Sequence, residues 1–231
     1  MSVNLARFNK PSRYIGNEIN VSRKIADIKV ALCFPDTYEI GMSHLGLKIL
    51  YSIINNMPSA SAERVFAPWV DYEAFLREKH HPLSSLEYSR PLKEFDIIGF
   101  TLQYELSYTN VLNMLDLGGI PLKSQDRGDT YPLIIAGGPC AVNPLPMAPF
   151  IDAFVIGDGE EAIKDIIEVY DNFKLKIVNC KLKNAKPDST QKSEHRAQNP
   201  EPRSQITDHR SRNKEIILKA LSKLEGVYVP T

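Results

Sequence analysis

Five short, strongly apolar runs punctuate this chain, and each leads at once into a loop marked by Gly, Pro or a cluster of polar residues. The runs end near Phe34, Phe66, Phe100, Ala136 and Ile156. The loops read Pro35-Asp36-Thr37-Tyr38-Glu39-Ile40-Gly41, Ala67-Pro68-Trp69, Thr101-Leu102-Gln103-Tyr104-Glu105, Gly137-Gly138-Pro139-Cys140 and Gly157-Asp158-Gly159-Glu160. A strand buried on both faces is apolar throughout rather than alternating. Such runs, separated by stretches of helical period, predict a parallel sheet. Ligands of such sheets sit outside the carboxyl ends of the strands. Function is therefore expected along one edge, where these loops gather.

The spacing predicts strands over 28–34, 62–66, 95–100, 132–136 and 153–156. Helices are predicted over 43–56 with Ser43 as N-cap, 71–79 capped by Asp71, 106–117 and 160–173. Gly118-Gly119 followed by Pro121 is a stop signal for the third of these. With right-handed crossovers the elements give an α/β, doubly wound, five-stranded parallel sheet of flavodoxin-like or Rossmann-like type. Residues 1–27 read as an N-terminal arm and 28–173 as the α/β domain. Residues 174–214 read as a basic linker, with a small strand at 175–178 and disorder over 186–212, which is nearly empty of large apolar residues. Helix spacing returns over 215–224, and 227–230 reads as the entry to another element. Residues 215–231 are thus expected to open a further domain cut short here.

Bulk properties narrow the function classes. The chain has 231 residues, and 43% of them are hydrophobic, enough for a real core. No apolar stretch nears the roughly 18 residues that span a bilayer, and Met1 to Pro11 lack the apolar core of a secretory signal. Cys33, Cys140 and Cys180 are odd in number and widely spaced, which argues against a disulfide framework and for a reducing, cytoplasmic setting. Net charge is zero, yet residues 174–214 hold 11 Lys+Arg against 4 Asp+Glu, and the remainder 17 against 24. A basic run can meet nucleic acid; a solvated linker is the simpler reading, so no nucleic-acid partner and no membrane are expected.

Several motifs have competing explanations. Glu160 and Glu161 suit the first turn of a helix through its dipole, while Gly157 and Gly159 could line a ligand crevice. Free N–H groups there suit phosphate, but no Gly-x-x-x-x-Gly-Lys-Ser/Thr string is present, which argues against a nucleoside triphosphatase. Cys140 could act as a nucleophile, although no His adjoins it in sequence. His80-His81 are adjacent and so ill placed to share an ion. Cys33 lies inside the first run and reads as core, His44 as a surface or capping residue, and Trp69 as a packed or roofing aromatic.

Longer strings carry a resemblance. They are Arg13-Tyr14-Ile15-Gly16, the run from Phe34 to Gly46 around Asp36-Thr37-Tyr38-Glu39-Ile40-Gly41, Glu63-Arg64-Val65-Phe66-Ala67-Pro68-Trp69, and the run from Gly99 to Asn110. Ala136-Gly137-Gly138-Pro139-Cys140 and Ile156-Gly157-Asp158-Gly159-Glu160-Glu161 agree. Together they resemble the N-terminal half of radical SAM proteins that begin with a cobalamin-binding-like domain. Cobalamin domains carry Asp-x-His-x-x-Gly after the first strand, Ser-x-Leu after the third and Gly-Gly after the fourth. This chain has Asp36, Tyr38 and Gly41, then Thr101 and Gln103, then Gly137 and Gly138. The resemblance implies a cofactor crevice lined by these residues with Tyr104, Glu105, Gly157 and Gly159, and cobalamin without a histidine ligand from the Tyr38 position. It also implies a [4Fe-4S] cluster and S-adenosylmethionine in a barrel domain, whose Cys-x-x-x-Cys-x-x-Cys string this sequence lacks. Three closely spaced thiolates are needed to hold such a cluster and leave one iron open. The chain alone is therefore expected to be non-catalytic and to partner a barrel in cis or in trans. It is either a cofactor-binding or substrate-positioning module, or an interaction domain that docks the barrel with no corrin affinity.

Overall fold

The first strand, β1 (Ile28–Phe34), is buried along nearly its whole length, as a central parallel strand must be. The computed structural model describes residues 4–184 and 208–230. After β1 come a single turn α1 (Tyr38–Gly41), helix α2 (Leu45–Asn56), strand β2 (Ala60–Phe66) and helix α3 (Val70–Lys79). Strand β3 (Ile97–Thr101), helix α4 (Tyr108–Leu117), strand β4 (Leu133–Gly137) and strand β5 (Ala153–Val155) follow. Helix α5 (Gly159–Asn184), helix α6 (Asp208–Leu221) and strand β6 (Val227–Tyr228) complete the described chain.

The sheet order is β2-β1-β3-β4-β5-β6. All pairs are parallel except β5 with β6, which is antiparallel. The doubly wound parallel core stands as predicted; the sheet has six strands rather than five. Alternate residues of β1 feed opposite layers. Ile28, Val30, Leu32 and Phe34 meet Leu47, Tyr51 and Ile54 of α2, Ile163, Ile166 and Ile167 of α5, and Ile217 and Leu221 of α6. Ala31 and Cys33 face the other layer, with Phe75 and Leu76 of α3 and Val111, Met114 and Leu115 of α4. Full burial of each large aliphatic side chain contributes about 1.5–3 kcal/mol, so both helical layers are held chiefly by this packing.

Local departures have physical causes. Helix α2 is capped not by Ser43 but by His44, whose Nδ1 accepts the Leu47 N–H at 3.1 Å. Asp71 does not cap α3; Trp69 takes the cap position, and Asp71 instead accepts the Asn9 N–H at 2.8 Å, tying down the arm. The strand expected at 175–178 is helix, because α5 runs on to Asn184. Helix α6 starts at Asp208, so the end of the expected disordered segment is helical; the rest of it, 186–207, lies outside the described residues. Of residues 215–231, expected to open a further domain, the described ones (215–230) pack on this sheet: Ile217 and Leu221 are buried against it and Val227 pairs with Val155.

The arm covers the β2 edge. Phe8 is buried against Tyr14, Tyr72 and Phe75. Arg64 of β2 reaches Glu18 of the arm at 2.6 Å and buried Glu87 at 2.7 Å. Partial burial raises the Glu18 carboxyl, but hydrogen bonds from Arg64 and Tyr38 outweigh it and pull its pKa down to about 2. Burial pushes Glu87 the other way, above its ordinary value, against the pull of Arg64.

Candidate functional site

The carboxyl ends of β1, β3, β4 and β5 leave a crevice of about 380 Å³ between α2 and α5. That volume falls in the roughly 300–1,000 Å³ range of small-molecule sites. Its walls are aliphatic: Leu32, Leu47, Leu50, Ile135, Val155 and Ile163. Glycines open it. A Cβ at Gly99 or Gly137 would meet nothing nearer than 3.6 Å, so these positions keep space free without being forced by packing. Gly138 differs: its φ is +101°, and a Cβ there would stand 3.0 Å from the Leu102 carbonyl oxygen. Only glycine holds this turn without strain, and the turn itself is fixed by Leu102 N–H to Gly137 O at 2.7 Å and Cys140 N–H to Leu102 O at 3.0 Å.

Polar groups are few and placed at the strand ends. The Gln103 amide donates to the Thr101 hydroxyl oxygen at 2.5 Å, which leaves the Thr101 O–H free to donate into the crevice. His44 lines the same space. Its Nδ1 is an acceptor in the α2 cap, so the neutral ring carries its proton on Nε2 and offers a donor there, not a lone pair. Asp158 and Glu160, at the start of α5, supply carboxylates, and among the described residues no Lys or Arg lines the crevice.

Thr101, Gln103, Gly137, Gly138, Gly157 and Gly159 therefore lie together as crevice lining. Asp36, Tyr38, Gly41, Tyr104 and Glu105 do not line it. Asp36 and Tyr104 lie on the same sheet edge and bridge neighbouring loops, the Tyr104 hydroxyl donating to Asp36 at 2.7 Å. Gly41 is a packing position, where a Cβ would stand 2.5 Å from the Phe66 ring. Tyr38 turns away, its ring edge-on to Phe66 and its hydroxyl on Glu18 at 2.5 Å. Glu105 lies beside Cys140, whose thiol is pushed up by burial and then by that carboxylate, an environment opposed to nucleophilic chemistry. His44, Gly46, Asp158 and Glu160 complete the lining. Their sequence signal was a histidine and a glycine at the head of an amphipathic helix, and acidic residues at the start of another. Among the described residues no group of three His, Cys, Asp or Glu side chains is placed to hold a metal ion. Nor, among them, is any helix long and apolar enough to cross a membrane.

The family model described as "Radical SAM proteins, N-terminal" matches residues 46–186. An uncharacterized protein of Methanocaldococcus jannaschii is 26% identical over 132 residues, which is 57% of this chain and 24% of that protein. The chain thus spans about a quarter of the curated relative it matches. No solved structure matches.

Proposed function

This chain belongs to the family of radical SAM protein N-terminal domains, and on that premise we propose that it is a ligand-binding module serving a radical SAM barrel. The observation that carries this reading is the crevice itself: aliphatic walls, glycine openings and a Thr101–Gln103 pair at the switch point of a doubly wound sheet. The barrel, with its iron–sulfur cluster and S-adenosylmethionine, belongs either to a longer form of the polypeptide or to a separate chain.

The donor set decides how a corrinoid fits. A space of about 380 Å³ suits the base and sugar of the nucleotide tail and is too small for the macrocycle, which belongs outside the mouth. Thr101, Gln103 and the Gly137-Gly138 backbone would hold the tail. Neither Tyr38, which faces Glu18, nor His44, whose lone pair serves the α2 cap, is free to ligate cobalt. A bound corrinoid supplies cobalt chemistry that no side chain here offers; the chain's part is to hold and orient it and keep its tail dry.

Titration with hydroxocobalamin tests the proposal. The corrin bands are expected to shift at about tens of micromolar protein without the signature of an imidazole ligand. Gly99→Leu, which fills the crevice without a backbone clash, is expected to remove the shift. Unchanged bands at those concentrations sink the corrin reading.

A second reading, docking of the barrel with no corrin affinity, is favoured by exposed apolar residues in the connections that follow the strands. Leu45 (70% exposed), Val70 (68%), Leu106 (85%), Val142 (71%) and Leu145 (71%) all lie in the connections that follow β1, β2, β3 and β4. Concentrated exposed apolar surface marks an interaction site. Under this reading Leu106→Glu combined with Leu145→Glu abolishes co-purification with a cluster-bearing barrel domain, and Gly99→Leu leaves it intact. Equal capture of the rim variant rules the docking reading out.

A further inference from the structure

A second cavity, of about 420 Å³, shares no lining residue with the crevice. It is walled by the arm, the end of β2, α3 and residues 81–91. Arg13-Tyr14-Ile15 and Phe66-Ala67, from two of the strings singled out in the sequence, meet there with Tyr38 from a third. The closure is built in: at Gly16, φ +59°, the arm passes so near residue 86 that a Cβ would stand 2.7 Å from its carbonyl oxygen.

Arg13 is the residue that needs explaining. It is 9% exposed. Its Nε is held by both oxygens of Glu39 at 2.8 Å, and its guanidinium stacks on Trp69 with the carbon 4.7 Å from the ring centre. Among the described residues no acceptor meets hydrogen-bond geometry at either terminal nitrogen, and Arg13 lines the cavity. Tyr72 also lines it, and its hydroxyl has no hydrogen-bond partner among the described residues. Two parallel N–H groups that no acceptor among the described residues uses are the natural match for a carboxylate or phosphate. Ser84, Ser89 and His81 add further donors around the cavity, while Leu83, Pro82 and Leu86 give it an apolar floor.

We propose that this cavity is a second ligand site, taking a small organic anion whose carboxylate or phosphate meets the terminal nitrogens of Arg13 and whose apolar body lies against Tyr14, Tyr72 and Leu83. The anion lies on the far side of Arg13 from Glu39, so the guanidinium is neutralised from two edges while Trp69 holds its plane. Selectivity then comes from the fixed fork and from the Tyr72 hydroxyl.

Nuclear magnetic resonance titration of the full chain with benzoate and, separately, phenyl phosphate tests this. Saturable shifts are expected at the Arg13 side chain and at the 81–91 backbone, and the arm that binds more tightly identifies the acid group. Arg13→Lys is expected to weaken that arm about tenfold, and Tyr72→Phe to weaken it a few-fold while keeping the ring and the melting temperature. Tyr72→Phe keeps the test sharp should Arg13→Lys loosen the arm. Absence of saturable shifts in both arms up to about 10 mM, or binding unchanged in both variants, overturns the proposal.

Discussion

At the scale of single residues, the loop between β1 and α2 shows how identical chemistry in a string can serve different ends. Gly41 stands where a cofactor glycine was expected, yet its lack of a side chain serves the Phe34 and Phe66 rings. Gly41→Ala is expected to cost about 1–3 kcal/mol through overpacking, read as a lower midpoint in urea with no loss of ligand at the crevice. Tyr38 was expected beside Asp36 at the ligand and is instead committed to Glu18. That commitment predicts a pH dependence. The Glu18 carboxyl titrates near 2 in the folded protein, below its ordinary 4.5. A depressed carboxylate contributes stability fully above the unfolded value and loses it as pH falls through the folded one. The melting temperature of the wild type should therefore fall between about pH 4.5 and 2 more steeply than that of Glu18→Gln. Parallel profiles would show that the Arg64 and Tyr38 contacts do not persist in solution. A string records that a residue is needed, not which neighbour needs it.

At the scale of elements, the strands were readable because double burial leaves continuous apolar runs, and the crevice glycines because they follow those runs directly. What escaped was whatever depended on a partner distant in sequence. The β6 strand is only Val227–Tyr228, too short to show a period, and is defined by β5 beside it. Helix α5 was expected to end at Phe173 because the apolar spacing fades there, although the helix itself runs on to Asn184. The N-cap was assigned to Ser43 because Ser is the commoner N-cap, with His44 read as a surface or capping residue; an imidazole accepts a backbone N–H as well when neutral. His44→Ala should cost about 1 kcal/mol of cap energy, whereas His44→Asn should recover most of it, both measured by thermal unfolding. The last helix is pinned by a buried group at the opposite end of the sheet from the crevice. There Asp152 accepts from Arg127 and from Lys214, each at 2.8 Å. Burial lowers the Lys214 ammonium below its usual range despite the Asp152 carboxylate. Its loss should be felt across α6. Lys214→Met is expected to speed amide exchange at Ile217 and Leu221 and to leave β1 protected, since β1 is held by β2 and β3. Uniform acceleration would mean that α6 opens only with global unfolding.

At the scale of the whole molecule, polarity is distributed by edge. Charged groups that matter to the fold are buried at the β2 flank, in the Glu18–Arg64–Glu87 set, and at the amino ends of β4 and β5, around Asp152. The carboxyl edge carries the opposite character. Beyond β1 stand Ile40, Met42 and Leu45; beyond β2, Trp69 and Val70; beyond β3, Tyr104 and Leu106; beyond β4, Val142 and Leu145; beyond β5, Ile156, all exposed. A fold can bury such residues by small changes of loop path, so their recurrence in the connection after each parallel strand is a property of the surface and not of any one loop. A surface of this kind is costly in water at about 25 cal/mol per Å², and the strand ends that precede it also form the apolar crevice. Cover over the rim would close that crevice, so occupancy of the two should be coupled. Alone, the chain is expected to self-associate through the rim as concentration rises, seen by light scattering. Leu106→Glu with Leu145→Glu should keep it monomeric at an unchanged melting temperature, since both side chains are already in solvent. Association that persists in this variant would place the contact elsewhere on the molecule and separate the crevice from these exposed apolar residues.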